Sequence, residues 1–234
     1  MSRERIVCAA LALADAEGLT AVSLRKVSAS LDTGAMRLYA YLSTKDELLD
    51  LMVDAVYGEM AQEGPLPLRW DDALRTLADR TRQASKRHPW LVEILGGRPH
   101  QGPNALLYLE SMLAALAGSG PTAIDLVLQA AKTFTAFMVG ALRAEMSELR
   151  AESESGLTKH AWQVANQPYL LRQIETGQFP TIAKAVAESA EPLPDTVFAF
   201  GLECVIEGMG RHLNGIKPQD AKVAKKKAAR PGSQ

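Results

Sequence analysis

SLRKVSASL-DTG-AMRLYAYL-STKDELL, residues 23–49, decides how the chain is to be read. Ser23 is placed to cap a short helix in which Leu24, Val27 and Leu31 face inward while Arg25 and Lys26 point away. Asp32, Thr33 and Gly34 supply turn chemistry. Ala35 to Tyr41 make barely two helical turns, too few to be stable alone, so Leu38 and Leu42 must anchor them on neighbouring helices. Ala35, Met36, Arg37, Ala40 and Tyr41 are then the outward positions, a mixture of small, long and aromatic groups that suits a groove. Thr44 and Glu47 have the spacing of a capping box, so a third helix starts there. Helix, tight turn, helix is the arrangement of a helix-turn-helix, whose second helix enters the major groove of DNA.

Working outward, Ser2 to Gly18 carries one apolar stripe of Ile6, Ala9, Ala10, Leu13 and Ala14, which Gly18 ends. Arg3 and Arg5 precede the stripe and are open to two readings, phosphate contact or a solvated helix end. On the other side, the helix from Thr44 to Met60 buries Leu48, Leu49, Met52, Val53 and Val56. Its amino end and Lys45 offer positive charge to a phosphate, or are an ordinary cap with an exposed lysine.

The whole chain sets the frame for these elements. It has 234 residues, 47% hydrophobic and 23% charged, enough apolar surface for a real core. Its net charge is −1, but the stretch from Lys217 onward holds six basic residues against one acid, leaving −6 for the remainder. DNA binding must therefore rest on local Arg and Lys. Cys8 and Cys204 lack metal or redox spacing and read as core thiols. No leader segment or run of about 20 apolar residues is read, so a cytoplasmic protein without membrane association is expected.

Beyond residue 60, QEGPLPLRW ends one helix and starts another at Trp70 or Asp71, with Leu74, Leu77, Ala78 and Thr81 on one side, and His88-Pro89 breaks it. A brief helix stops at Gly96-Gly97-Arg98-Pro99, and a longer one starts near Asn104. Pro121 suits the first turn of a long helix bearing Ile124, Leu126, Val127, Leu128, Ala131, Phe134, Phe137, Met138 and Leu142. That surface is wider than one stripe, as is that of the last helix, Asp195 to Leu213. Such helices face a core on one side and an identical subunit on the other. ESESG (152–156) reads as a loop, HAWQVANQPYLLRQI as a short helix interrupted by Pro168, and the basic tail as disordered.

Gly18-Leu19-Thr20, the LRKV of residues 24–27, Leu38-Tyr39 and Lys45 with Leu48-Leu49 together resemble the amino-terminal module of the Tet repressor family of bacterial transcriptional regulators. Gly96-x-Arg98-Pro99, the YLESMLAAL run and Phe200-Gly201-Leu202-Glu203 resemble that family's Tet-repressor-type carboxy-terminal domain. The resemblance implies an all-α fold: a helix-turn-helix domain over residues 1–46, a ligand-binding and dimerisation domain over 47–215, and the tail over 216–234. It assigns Arg25, Ala35, Met36, Arg37 and Ala40 to bases or their flanks, and Tyr39, Tyr41 and Lys45 mainly to phosphates. It also implies a four-helix dimer interface. Asp32 departs from the family's usual glycine but tolerates a left-handed turn. Leu42 replaces the common phenylalanine.

Leu77, Thr81, Ile94, Arg98, Met112, Phe134 and Phe137 are the candidates to line a small-molecule cavity, with core packing the alternative for the apolar ones. Arg98 has a second reading, tying its loop down through backbone carbonyls. Ile94 stands where tetracycline-binding members place a metal-binding histidine, so a magnesium-tetracycline ligand is not expected. The four histidines show no paired metal spacing, and neither a phosphate loop nor a nucleophile elbow is present, so no metal, no cofactor and no catalytic residue is assigned. The expectation is a homodimeric repressor released from a palindromic DNA operator by a small apolar or amphipathic effector. The competing reading is a helical small-molecule binding protein without specific DNA binding.

Overall fold

The computed structural model describes residues 1–97, 100–120, 122–189 and 193–215; Arg98, Pro121 and the basic tail from residue 216 lie outside the described residues. Among the described residues there are eleven α-helices and no strand, the all-α class expected from the sequence. An amino-terminal group comprises α1 (Arg3–Glu17), α2 (Leu24–Ser30), α3 (Ala35–Leu38) and α4 (Lys45–Gln62). There follow α5 (Trp70–Arg87), α6 (Leu91–Ile94), α7 (Pro103–Ala117), α8 (Ile124–Ser155), α9 (Lys159–Ile174), α10 (Pro180–Glu188) and α11 (Pro194–Gly215).

Caps start the amino-terminal helices, those at Ser23 and Thr44 where the sequence places them. The hydroxyls of Ser2, Ser23 and Thr44 accept from the backbone N–H groups of Arg5, Lys26 and Glu47 at 3.4, 3.2 and 3.0 Å. The Glu47 carboxylate accepts from the Ser43 N–H at 2.7 Å, one residue before the cap. It also pairs with Arg3, whose Nε donates to the Tyr41 carbonyl at 3.1 Å. Arg3 is thus a brace between α1 and the turn before α4, while the Arg5 side chain has no partner among the described residues.

Two apolar cores organise the chain. The first gathers Ile6, Ala10, Val27, Leu38, Leu42, Leu48, Met52, Val56 and Met60 from α1–α4, with Trp90 and Leu91 reaching in from beyond α5. The second gathers Leu74, Leu77, Met112, Leu116, Val127, Phe134, Met138, Leu142, Leu202 and Ile206 from α5, α7, α8 and α11. Leu95 and Tyr108 pack against both. Every core-facing turn of α4 therefore belongs to the first core, far past residue 46, and α4 also lies along α7.

Ion pairs tie the second core together from outside. Arg82 makes two hydrogen bonds to Glu145 at 2.8 and 2.9 Å, a third to Asp195 at 2.6 Å, and lies 4.5 Å over the Phe198 ring. Burial pushes the Glu145 carboxyl up, but the bonds and charge of Arg82 outweigh it and hold the group below its ordinary value. Arg75 bridges to Glu203 at 2.8 and 2.7 Å. The run Phe200-Gly201-Leu202-Glu203 now has a physical reading. Leu202 enters the core, Glu203 meets Arg75, and Gly201 lets α11 sit on Phe137, whose ring would lie 2.7 Å from any Cβ there.

Several expectations need correction. Cys8 and Cys204 are exposed, because each lies two residues from a stripe member and so on the opposite side of its helix. Residues 152–155 are helical: α8 continues through them and ends against Gly156 in the left-handed conformation, at φ 69°. Their small, polar composition had the look of a loop, yet an exposed helix surface accepts it. α9 runs unbroken through Pro168. With no buried residue in α9, the carbonyl that proline leaves unpaired can bond to water. α10 was not anticipated. α8 begins at Ile124, three residues after the proline expected in its first turn. By length and composition α8 would suit a bilayer, but its Val127, Phe134, Met138 and Leu142 form the centre of the second core.

The close approach at Gly201 is directly testable. Gly201→Ala should lower stability by about 1–3 kcal/mol, measured by urea unfolding, and Gly201→Ala combined with Phe137→Leu should lose less than the sum of the two single variants.

Candidate functional site

The first candidate surface is the outer side of the α2–α3 unit. Asp32 adopts the left-handed conformation, φ 51°, and turns the chain from α2 into α3. α3 has four residues and is fixed by Leu38, which is fully buried, with Leu42 buried just beyond. This anchoring leaves Met36 82% and Tyr39 53% exposed, with Arg37 and Ala40 exposed beside them. Arg25 on α2 and Lys45 at the start of α4 are exposed as well. Ala35 and Tyr41 are half-buried, and Tyr41 packs on the first core, so it is turned further inward than its sequence position indicates.

Charge separates this face from the rest of the module. The side chains of Arg25, Arg37 and Lys45 have no hydrogen bond or ion pair to any described residue, whereas Lys26 is held by Glu17 at 2.7 Å and Arg3 by Glu47. Three uncommitted cations around a protruding short helix are available for phosphates or base edges.

The second candidate is a cavity of about 400 Å³ between the carboxyl end of α4, the loop at 64–66, α5 and α7. Tyr57, Met60 and Ala61 line it from α4, Leu77 and Arg80 from α5, Leu107, Tyr108 and Ser111 from α7, and Gly64, Pro65 and Leu66 from the loop. This size and mixed lining fit a small organic ligand. Tyr57 and Tyr108 lie with ring centroids 5.1 Å apart and planes tilted by 53°. The Tyr108 hydroxyl is 2.9 Å from that of Thr81, which itself donates to the Leu77 carbonyl. Burial raises both phenols above their ordinary range, so they remain neutral hydrogen-bonding groups.

Of the seven residues proposed from sequence for this role, the structure brings Leu77 to the wall and Thr81 one side chain behind it, through Tyr108. Met112 and Phe134 are buried in the second core, and Phe137 stacks with Phe198 at 5.9 Å. Ile94 packs at the edge of the first core, and Arg98 lies outside the described residues. The wall residues not named from sequence include Tyr57, Met60, Arg80, Leu107, Tyr108 and Ser111. Tyr57-Met60-Ala61 and Leu107-Tyr108-Ser111 each have the three and four residue steps of one helix face, a signal present in the sequence. Which two faces meet is set by tertiary packing.

α4 joins the two sites, and polar contacts hold it along its length. The buried Asp54 carboxylate accepts from the N–H groups of Asn104 and Ala105, both at 2.9 Å, and from the Asn104 amide at 3.1 Å. It thereby caps α7 from a different helix. Nearer the carboxyl end, the His88 ring nitrogens lie 2.8 Å from Asp15 of α1 and 3.1 Å from Glu59 of α4, and Trp90 donates to the same Asp15 at 2.7 Å. At the end itself, Arg80 donates to the carbonyls of Met60 and Glu63 at 3.3 and 3.1 Å. Arg143 does the same for α6, donating to Val92 and Leu95 at 3.1 and 2.8 Å.

A helix-turn-helix face, a ligand-sized cavity and one helix shared between them define a ligand-responsive transcriptional regulator. Comparison with known proteins agrees. Residues 64–213 match the family model for the tetracyclin repressor-like, C-terminal domain. The chain is 36% identical over 212 residues to the HTH-type transcriptional repressor DrrR1 of Streptomyces coeruleorubidus, covering 89% of this chain and 77% of that one. It is 27% identical over 223 residues to the tetracycline repressor protein class E of Escherichia coli, covering 93% and 94%. The Streptomyces coelicolor TetR family protein ActR, in complex with actinorhodin, superposes with a TM-score of 0.76 at 28% identity, over 91% of this chain and 96% of that one. The chain belongs to the TetR family of transcriptional regulators.

The Asp54 cap yields a prediction. A Cβ at Gly102 would overlap the Asp54 carboxylate. Gly102→Ala and Asp54→Ala should each cost about 1–2 kcal/mol in thermal or urea unfolding, and the double variant should cost little more than either alone because both break one contact.

Proposed function

We propose that this protein is a homodimeric repressor, not a catalyst, acting in the cytoplasm on a palindromic operator and released from it by a small amphipathic effector. The supporting observation is the double use of α4: its amino end follows the exposed α3 directly, and its carboxyl end forms part of the cavity wall. Arg25, Ala35, Met36, Arg37 and Ala40 read bases or their flanks in this proposal, and Tyr39, Tyr41 and Lys45 hold phosphates. Only the arginines among them can grip a guanine with two hydrogen bonds.

A palindrome requires two copies. α8 and α11 each leave apolar side chains outside the fold, among them Ile124, Leu128, Val197 and Phe200, the last 72% exposed. A second copy covering these positions would form a four-helix interface and set two α3 helices at a fixed separation. Successive major grooves demand about 34–36 Å. An effector in the cavity would press on α4 at Tyr57 and Met60 and change that distance. It must bind the released form more tightly to shift the equilibrium at all. ActR, a similar chain, was solved in complex with actinorhodin, which supports a small-molecule ligand for this protein, and the cavity is the site proposed for it.

The test is an anisotropy titration against duplexes tiled across the DNA flanking the gene. Wild type should prefer one palindromic duplex over random sequence. Arg37→Ala should weaken that binding by about 1–3 kcal/mol, and Lys45→Ala should reduce the dependence on salt by about one phosphate. If no duplex binds better than random DNA, the repressor reading fails. Phe200→Glu should convert the dimer to monomer in sedimentation and abolish palindrome binding.

A further inference from the structure

Among the described residues that line the cavity, Arg80 is the one charged side chain and none is a carboxylate. The side chain is nine-tenths buried, so its charge is held largely out of water at the wall of a mostly apolar chamber that Met60, Leu77 and Leu107 also line. Its guanidinium carries five N–H donors in a fixed fork. Two are spent on the carbonyls of Met60 and Glu63, in the last turn of α4, where no intrahelical N–H is available. The Glu63 carboxylate is 3.6 Å from Nε, beyond good hydrogen-bond distance, and is itself approached by Arg87 at 3.7 Å. One side chain thus both faces the ligand chamber and caps the helix that carries the DNA-reading unit.

We propose that the effector carries an anionic oxygen group, a carboxylate, sulfonate or ionised phenol, on an aromatic body, and that Arg80 converts its binding into release of the carboxyl end of α4. This rests on the cavity being the effector site. An anion held there without a partner would be strongly disfavoured. A paired, two-bond contact with the guanidinium is the strongest interaction the wall offers, stronger than a guanidinium bond to a neutral carbonyl. Because the guanidinium is planar and rigid, turning two of its three unspent donors toward a ligand in the chamber draws it away from the two carbonyls, and the anion favours the conformation in which Arg80 has left them. That conformation has an uncapped last turn in α4, and the difference in affinity is what drives the change. Tyr57 and Tyr108 supply the aromatic surface for the apolar body. A cationic ligand would meet Arg80 with no compensating acid among the lining residues.

The experiment compares two probes with one ring skeleton, anilinonaphthalene sulfonate and the neutral phenylnaphthylamine, by fluorescence titration of the full chain. Wild type should bind the sulfonate about tenfold or more tightly than the neutral probe. Arg80→Met should erase that preference, Arg80→Lys should keep part of it, and Glu63→Gln, which loosens the hold on Arg80, should strengthen sulfonate binding. Hydrogen exchange at residues 59–63 should quicken with the sulfonate and not with the neutral probe. A preference that survives Arg80→Met, or sulfonate binding that leaves exchange in α4 unchanged, overturns the proposal. Ser111→Trp, which fills the cavity, separates the two failures. If it abolishes binding of both probes while their affinities are equal, the cavity stands and the anionic trigger falls. If it affects neither, the cavity is not the site.

Discussion

The contact between Asp54 and the amino end of α7 is the constraint on which the arrangement turns. A carboxylate in the middle of a helix and out of water is stable only if hydrogen-bond donors surround it, and three from Asn104 and Ala105 do so. The same bonds satisfy N–H groups that α7 cannot pair internally. α4 is therefore fixed to α7 near its middle, between the short helix before it and the cavity beside its far end. A rod pinned near its centre turns a displacement at one end into an opposite displacement at the other. The buried face of α4, from Leu48 to Met60, keeps it rigid enough to do so.

The ends of the rod are held differently. The amino end is capped by Thr44 and braced by Glu47, Arg3 and Ser43, all within residues 1–47. The carboxyl end depends on side chains from elsewhere, Arg80 of α5 and the His88 bridge between Glu59 and Asp15. The first end belongs to the amino-terminal unit. The second, in the proposal above, is the end that an anion competing for Arg80 would release.

Local signals carried the sequence reading a long way. Caps at Ser23 and Thr44, the left-handed Asp32 and the anchoring of α3 by Leu38 follow from chemistry within a few residues of each position. The cavity was less legible because its wall is made by three helices distant in sequence. Leu77, which lies on a core stripe legible in the sequence, also lines this pocket. Tyr57, Tyr108 and Arg80 were missed because an aromatic or an arginine at helical spacing looks the same whether it faces water, core or chamber. Phe134 could be read either as wall or as core packing, and it is buried in the second core. Residues 152–155 and Pro168 show the reverse error, in which local composition was given weight that an exposed helix does not require.

The two candidate sites differ in how far they can change over evolutionary time. The outward side chains of α3 and its flank, Met36, Arg37, Tyr39 and Ala40, support no part of either core, so exchanging them leaves folding intact while altering which bases are met. The chamber has no such freedom: Met60 and Leu77 are core residues as well as wall residues, and Tyr108 packs on both cores. If α3 reads the operator as proposed, descendants of this chain can acquire new target genes through single neutral steps. A new inducer would require compensated changes in the interior, so inducer class should outlast target sequence across the lineage.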